Sequence, residues 1–250
     1  MNRDRQARSF GAAAAEYDQA RPTYPREAVT WAVGGPPPRR VIDLGAGTGI
    51  LTRVLLAAGY EVVPVEPDPQ MRARLAAATP GTTALDGTAE AIPLPDGAAD
   101  VVVAGQAYHW FDHDRAHPEI ARVLRPGGVF APIWNRRDDS VPWVAELSRI
   151  TYDTPEVHGG FDPGDALSLG DSHFGPVERA EFHHTTTHTP DSLVTLVATR
   201  SYYLVATPEH QAEIDAGVRR LCAEHPDLAG RATFEVPYQT FVYRAVALRS

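Results

Sequence analysis

The first strong apolar run in the chain is Val41-Ile42-Asp43-Leu44, short, rich in β-branched residues and followed at once by glycine. It reads as a buried parallel strand. A breaker cluster, Gly34-Gly35-Pro36-Pro37-Pro38, separates it from an N-terminal stretch of helical periodicity over about 10–33. Beyond the strand the period changes. Ile50, Leu51, Val54, Leu55 and Ala58 share one helical face, and Glu61 to Val65 reads as a second strand. Asp68 then looks like an N-cap with Pro69 at N1, and Met71, Leu75 and Ala78 face inward. Asp100 to Ala104 is a valine-rich strand. Asp112 or Asp114 starts a helix that carries Ile120, Val123 and Leu124 and stops at Arg125-Pro126-Gly127-Gly128. Val129 to Trp134 is the next strand. Such alternation predicts a doubly wound α/β domain with a mostly parallel sheet covered on both faces.

The pattern then loosens. Residues 138–175 are irregular, with a short helix near Trp143 to Tyr152. Val177 to Thr187 alternates as a strand, helices follow over about 191–205 and 208–224, and Phe234 to Leu248 is extended. The two late strands predict an antiparallel pair at one sheet edge. A chain of 250 residues admits one or two domains. The expectation is one domain, 1–250. Residues 39–135 form its core and 177–187 and 233–248 its edge strands. The segments 138–175 and 191–225 form a helical cover.

Charge narrows the functions. There are 23 Lys+Arg against 32 Asp+Glu, a net charge of −9. A protein that grips a phosphate backbone needs a basic surface, so nucleic acid is disfavoured as a partner. Cys222 is the single cysteine. It excludes an intrachain disulfide and fits a reducing, cytoplasmic setting. The N-terminus lacks the apolar region of a signal peptide, and no apolar stretch approaches the roughly 18–20 residues of a membrane span. Oligomeric state is open.

Asp43-Leu44-Gly45-Ala46-Gly47-Thr48-Gly49 lies between a predicted strand and a predicted helix, at the strand end where open α/β sheets bind ligands. A dinucleotide fingerprint, Gly-x-Gly-x-x-Gly, would need a third glycine where Ile50 stands. A second acid, Glu66, ends the next strand 21 residues after Gly45, where a carboxylate can accept both hydroxyls of a ribose. An adenosine-type ligand is indicated more strongly than a phosphate.

VIDLGAGTG, the acid Glu66, AEAIPLPDGAADVVVAGQAYHWFD and RVLRPGG together resemble class I S-adenosylmethionine-dependent methyltransferases, over about residues 10–135. FGAAAAEYDQARPTYP, TRSYYL and VPYQTF are similar, more loosely, to the small-molecule subgroup that includes trans-aconitate methyltransferase-like enzymes. The resemblance implies a seven-stranded Rossmann-like sheet, S-adenosylmethionine as cofactor and a small-molecule acceptor.

It also implies roles for particular residues. Asp43, Gly45, Ala46 and Gly47 would lie along the methionine part of the cofactor, with Asp43 on its amino group. Glu66 would take the ribose, and Pro67 would stand beside the adenine. Met71 would touch the ring or simply fill the core. Thr88, Ala89 and Glu90 would bracket the adenine edge, although Glu90 reads equally as a solvated acid. Gln106 and Ala107 would face the sulfonium. Tyr17, Arg21 and Tyr24 lie in the 1–38 segment that would fold over the cofactor, or they pack elsewhere. His109, Trp110 and Trp134 would wall the acceptor, Tyr17 would touch it, and His109 is the one candidate base; a structural histidine and core aromatics are the other readings. Arg200 would pair with an acceptor carboxylate or lie on the surface, with Tyr203 nearby. His183, His184 and His188 lack a metal-ligand spacing, and no metal is expected.

Methyl transfer by in-line displacement asks mainly for positioning and for exclusion of water. A base is needed only for an acceptor proton of high pKa. Gly105-Gln106-Ala107-Tyr108 stands where enzymes that methylate amides and base amino groups carry Asn/Asp-Pro-Pro-Tyr, which favours a small molecule. The alternative is the same cofactor pocket turned to other chemistry, such as cyclisation or decarboxylation.

Overall fold

A computed structural model describes residues 18, 20–151 and 173–248. The elements in chain order are α1 (Arg26–Val33), β1 (Arg40–Leu44), α2 (Ile50–Ala57), β2 (Glu61–Val65), α3 (Pro69–Ala78), β3 (Ala99–Gly105), α4 (His113–Val123), β4 (Leu124–Arg137), α5 (Pro142–Thr151), β5 (Glu178–His188), α6 (Pro190–Ala198), α7 (Ser201–Leu204), α8 (Pro208–Glu224) and β6 (Phe234–Val246). Among the described residues the chain is an α/β fold whose six strands run β2-β1-β3-β4-β6-β5, mostly parallel, with an antiparallel pair at one edge.

Among the described residues six strands stand where seven were expected. Next to β2 these residues make a single parallel bridge, Val65 to Leu85, and no further strand. The residues flanking Leu85 are Ala84 and Asp86, both of types depleted in strands.

Helix signals in the sequence are used as drawn. Asp68 Oδ1 accepts from the N–H groups of Gln70 (2.8 Å) and Met71 (3.0 Å), capping α3. Thr189 and Ser192 form a reciprocal capping box at α6. The predicted helix over 191–205 is two helices, because the chain breaks at Thr199-Arg200. The Thr199 carbonyl is taken by Arg21 (2.9 Å), and its hydroxyl bonds back to Leu196 O (2.7 Å). The expected N-terminal helix is seen from Arg26 onward. Residues 10–17 and 19 lie outside the described residues, as do 152–172.

The described residues fall into two compact units. The first holds 23–135, 173–182 and 240–248. Its sheet is packed on both faces. One core joins Ile42, Leu44, Val102, Ile120, Phe130 and Phe174, and the other joins Val29, Val41, Leu55, Val101, Val103 and Ile133. The central strands are buried on both sides, which explains their unbroken apolar runs. The second unit holds 18, 20–22, 136–151 and 183–239. There α5, α6 and α8 enclose Trp143, Leu147, Leu193, Val197, Val218 and Leu221. Among the described residues, no helix is long and apolar enough to cross a membrane.

Candidate active site

β1 is the pivot of the site. It pairs in parallel with β2 on one side and β3 on the other, and the three strands end together. At its end the loop turns back toward β2. Gly45 N–H (2.8 Å) and Ala46 N–H (3.1 Å) both donate to Val65 O, and Gly47 N–H donates to Glu66 Oε2 (2.9 Å). Three successive amides are therefore spent on the end of β2. They do not form the open amide cradle that holds a pyrophosphate.

The glycines make this turn possible. Gly45 has φ +69°, and a Cβ there would sit 2.7 Å from Ala107 Cβ. Gly47 has φ +57°, and a Cβ there meets no described atom within 4 Å. Bare backbone at Gly47 thus faces open space.

Two carboxylates flank the loop. Asp43 is buried in mid-sheet. Its Oδ2 accepts a 2.6 Å bond from the Thr52 hydroxyl on α2, and its Oδ1 has no hydrogen-bond partner among the described residues. Burial pushes this carboxyl up to about 7; the Thr52 hydroxyl opposes the shift and the nearby Glu66 charge adds to it. Glu66 is also buried, and burial raises its pKa against the pull of two backbone amides. Those amides, Gly47 N–H and Asp68 N–H (2.9 Å), each hold one carboxylate oxygen and leave each oxygen capacity to accept another bond. Both acids thus stand ready for a ligand rich in donors or positive charge.

Apart from Tyr17 and Arg21, the rest of the expected cofactor set lies in the same unit. Pro67 is exposed, and Met71 is buried on α3. Thr88 pairs with Ala91, Ala89 is buried, and Glu90 Oε1 accepts from Asp112 N–H (2.9 Å) at the start of α4. Tyr24 is buried, and a Cβ built on Gly105 would fall 2.8 Å from its hydroxyl. Gln106 follows β3 with φ 55°. Ala107 opens a 3₁₀ turn over Tyr108–Trp110.

That turn carries the aromatic residues. Trp134 Nε1–H points at His109 Nδ1 at 3.4 Å, and the His109 and Trp110 rings lie 4.8 Å apart. Indole nitrogen only donates, so this contact places the neutral imidazole proton on Nε2. Tyr108 is fully buried and stacks 4.3 Å from His113, while its hydroxyl meets His117 Nε2 at 2.9 Å.

Three further residues belong to the second unit. Arg21 donates through Nε (3.1 Å) and Nη2 (2.9 Å) to Thr199 within the second unit. Arg200 and Tyr203 belong to that unit too, and the Tyr203 hydroxyl donates to Asp215 Oδ2 (3.1 Å). Tyr17 lies outside the described residues. His188 is occupied by the hydroxyls of Thr186 and Ser192.

Two site residues escaped the sequence reading. Thr52 holds Asp43 from across α2. Asn135, just past Trp134, joins Thr23, Thr240 and Gln106 by hydrogen bonds. Their only sequence signal is a polar residue beside an apolar run.

Residues 42–131 match the family model described as "Methyltransferase domain". An uncharacterized methyltransferase of Mycobacterium tuberculosis is 44% identical over 238 residues, covering 95% of each chain. A malonyl-[acyl-carrier protein] O-methyltransferase of Methylococcus capsulatus is 38% identical over 133 residues, 49% of this chain and 48% of its own. A solved structure, a putative type II methyltransferase from Anaeromyxobacter dehalogenans, superposes with a TM-score of 0.62 at 25% identity over 91% of this chain and 96% of that one. A full-length relative at 44% identity, together with a strand-end site of two buried acids around a glycine loop, decides the assignment: the chain belongs to the class I S-adenosylmethionine-dependent methyltransferases.

Proposed function

We propose that the protein methylates a small molecule, at an oxygen, carbon or nitrogen nucleophile. The observation that carries this reading is the pair of strand ends. At β1 a buried carboxylate keeps one oxygen unmet beside a bare glycine backbone. At β3 an aromatic turn stands where amide- and base-methylating enzymes would carry Asn/Asp-Pro-Pro-Tyr.

The residues fit the cofactor. Asp43 Oδ1 matches the charge and donor capacity of an α-amino group, and Glu66 retains capacity for two hydroxyls. Gly45, Ala46 and Gly47 would lie along the methionine part, Pro67 and Met71 beside the adenine, and Thr88, Ala89 and Glu90 at its edge. Gln106 and Ala107 would meet the sulfur end. Tyr24, with Tyr17 and Arg21, would close the pocket from the N-terminal segment, the chain acting as one domain. When bound, S-adenosylmethionine supplies an electrophilic methyl group on a cationic sulfur.

What remains for the protein is to hold, orient and dry the acceptor. Trp110 and Trp134 offer aromatic faces that tolerate a cation. His109 could take a proton only at Nδ1, which now receives the Trp134 N–H. This favours an acceptor that is already anionic, such as a carboxylate, over one that must lose a proton of high pKa. Arg200 and Tyr203 would serve that acceptor.

The test is transfer of label from methyl-labelled S-adenosylmethionine to a metabolite extract. Label is expected in the low-mass fraction. Label confined to macromolecules would overturn the small-molecule reading. In parallel, Glu66→Ala should weaken S-adenosylhomocysteine binding by roughly 1–3 kcal/mol by calorimetry; an unchanged affinity would remove Glu66 from the ribose.

A further inference from the structure

Gln106 is the one non-glycine residue with positive φ among the described residues. A left-handed backbone is strained at glutamine and persists only where its surroundings enforce it. Here the enforcement is visible. Gln106 N–H donates to Ile133 O (2.9 Å), and Gln106 Nε2 donates to Asn135 O (2.7 Å). The end of β3 is therefore tied twice to the end of β4.

Asn135 does more than accept that bond. Its side chain is 4% exposed, and both ends of the carboxamide are engaged. Nδ2 donates to Thr23 O (2.9 Å), and Oδ1 accepts from the buried Thr240 hydroxyl (2.6 Å) on β6. Thr240 can only donate to that oxygen, and Thr23 O can only accept, so the amide has a single satisfied orientation. Thr23 is followed by Tyr24, whose hydroxyl lies against Gly105 at the end of β3. One buried asparagine thus links β6, the segment entering α1, the end of β4 and the strained residue after β3. Gln106 Oε1 is left as the acceptor end of its own amide.

We propose that Asn135 is a positioning residue of the methyl-transfer site. Its backbone carbonyl fixes the Gln106 carboxamide and its side chain fixes the Thr23–Tyr24 segment, so that both meet the cofactor in one arrangement. This rests on the cofactor placement given above. Asn135 itself stays behind the site and acts through Gln106 and Tyr24.

Two variants cut the chain of contacts at different points. Asn135→Asp keeps the volume and the acceptor for Thr240 but sets an oxygen against Thr23 O. Gln106→Met keeps the length and loses the donor. Each is expected to weaken S-adenosylhomocysteine binding about tenfold by calorimetry. Because both act on one linked unit, the double variant should lose about ten- to twentyfold and not the hundredfold product. A full hundredfold loss would mean that the two residues act independently, and would overturn the proposal. So would a lowered melting temperature with unchanged affinity, the signature of a purely structural asparagine. Should Asn135→Asp fail to fold, Thr240→Val and Thr240→Ser carry the same test: the valine variant is expected to bind more weakly and the serine variant like wild type, and equal affinities would refute the link. Wild-type protein that does not bind S-adenosylhomocysteine would defeat the cofactor placement itself, a result read before any variant is made.

Discussion

The two units of the chain use polar groups for different ends. In the unit of β1–β3, Asp43 and Glu66 are buried where their charge is disfavoured, and Gly45, Gly47 and Gln106 take left-handed backbone at strand ends. In the unit of α5, α6 and α8, exposed or half-buried hydroxyls cap helices and the buried Ser148 and Thr151 are paired with other side chains. Thr189 and Ser192 cap α6, Ser148 on α5 donates to Asp139 (2.7 Å), Thr151 on α5 accepts from Arg137 (3.0 Å), and Thr207 caps α8. The first set carries strain and uncompensated charge that folding alone does not require. The caps of the second set satisfy what helices leave open, and its other members pair side chain with side chain. Buried acids and left-handed backbone gathered at strand ends are a cost without local return, which is what the proposed cofactor site would require.

The sharpest way to break this contrast is to add a methyl group to the loop. In Gly45→Ala the new Cβ would stand 2.7 Å from Ala107 Cβ at φ +69°. Left-handed strain of about 1–2 kcal/mol and overpacking of about 1–3 kcal/mol should together remove about 2–5 kcal/mol of stability in urea unfolding. Gly47→Ala bears the strain without the clash, because its Cβ enters open space. It should lose only the left-handed strain, about 1–2 kcal/mol, together with cofactor affinity, since under the proposed placement the methyl group fills the face that the ligand needs. Equal losses of stability at the two positions would show that the loop is merely a tight turn.

A smaller effect follows from Asp43. Its carboxyl is held at about 7 in the folded protein against an ordinary 3.8. Between those values the folded chain keeps a proton that the unfolded chain has released. The resulting stability is full below the ordinary value and is lost as pH rises through about 7, at most about 4 kcal/mol in all. Asp43→Asn removes that slope, so its melting temperature should exceed that of wild type at pH 8 and approach it at pH 4. Cofactor affinity should move the opposite way. An ionised Asp43 is needed for a cationic amino group, so wild-type affinity should rise about tenfold from pH 6 to pH 8, and the asparagine variant should bind weakly at both. A wild-type affinity that does not change over this range would detach Asp43 from the amino group.

The same contrast governs what was legible in the sequence. β1, the Asp68 cap and α8 over 208–224 could be read because period, caps and breakers are local. The glycine loop and Glu66 could be read because a tight turn at a strand end constrains residue type at set spacings. Thr52 and Asn135 could not. Asn135 meets Thr240 across 105 residues and Thr23 across 112, and no periodicity encodes such a meeting. The missing edge strand is of the same kind: whether Leu85 makes one bridge or a ladder depends on its neighbours. In the helical unit the elements were visible, but Arg200 and Tyr203 carry no spacing that names an acceptor.

The gentlest test acts on that second unit. The Tyr203 hydroxyl donates to Asp215 Oδ2 at 3.1 Å, and burial with the Asp215 charge raises the phenol pKa. Asp215 Oδ1 already lacks a partner among the described residues. Tyr203→Phe takes the donor away from Oδ2 as well, at a cost of about 1 kcal/mol in denaturant unfolding, because the carboxylate is only half-buried and water can replace part of the bond. If Tyr203 serves the acceptor and not the cofactor, S-adenosylhomocysteine affinity should stay within about twofold of wild type, the error of additivity between independent sites. Any change should fall instead on the KM for the acceptor. A loss of cofactor affinity as large as that of Glu66→Ala would erase the distinction between the two units, and would place Tyr203 among the groups that hold the cofactor.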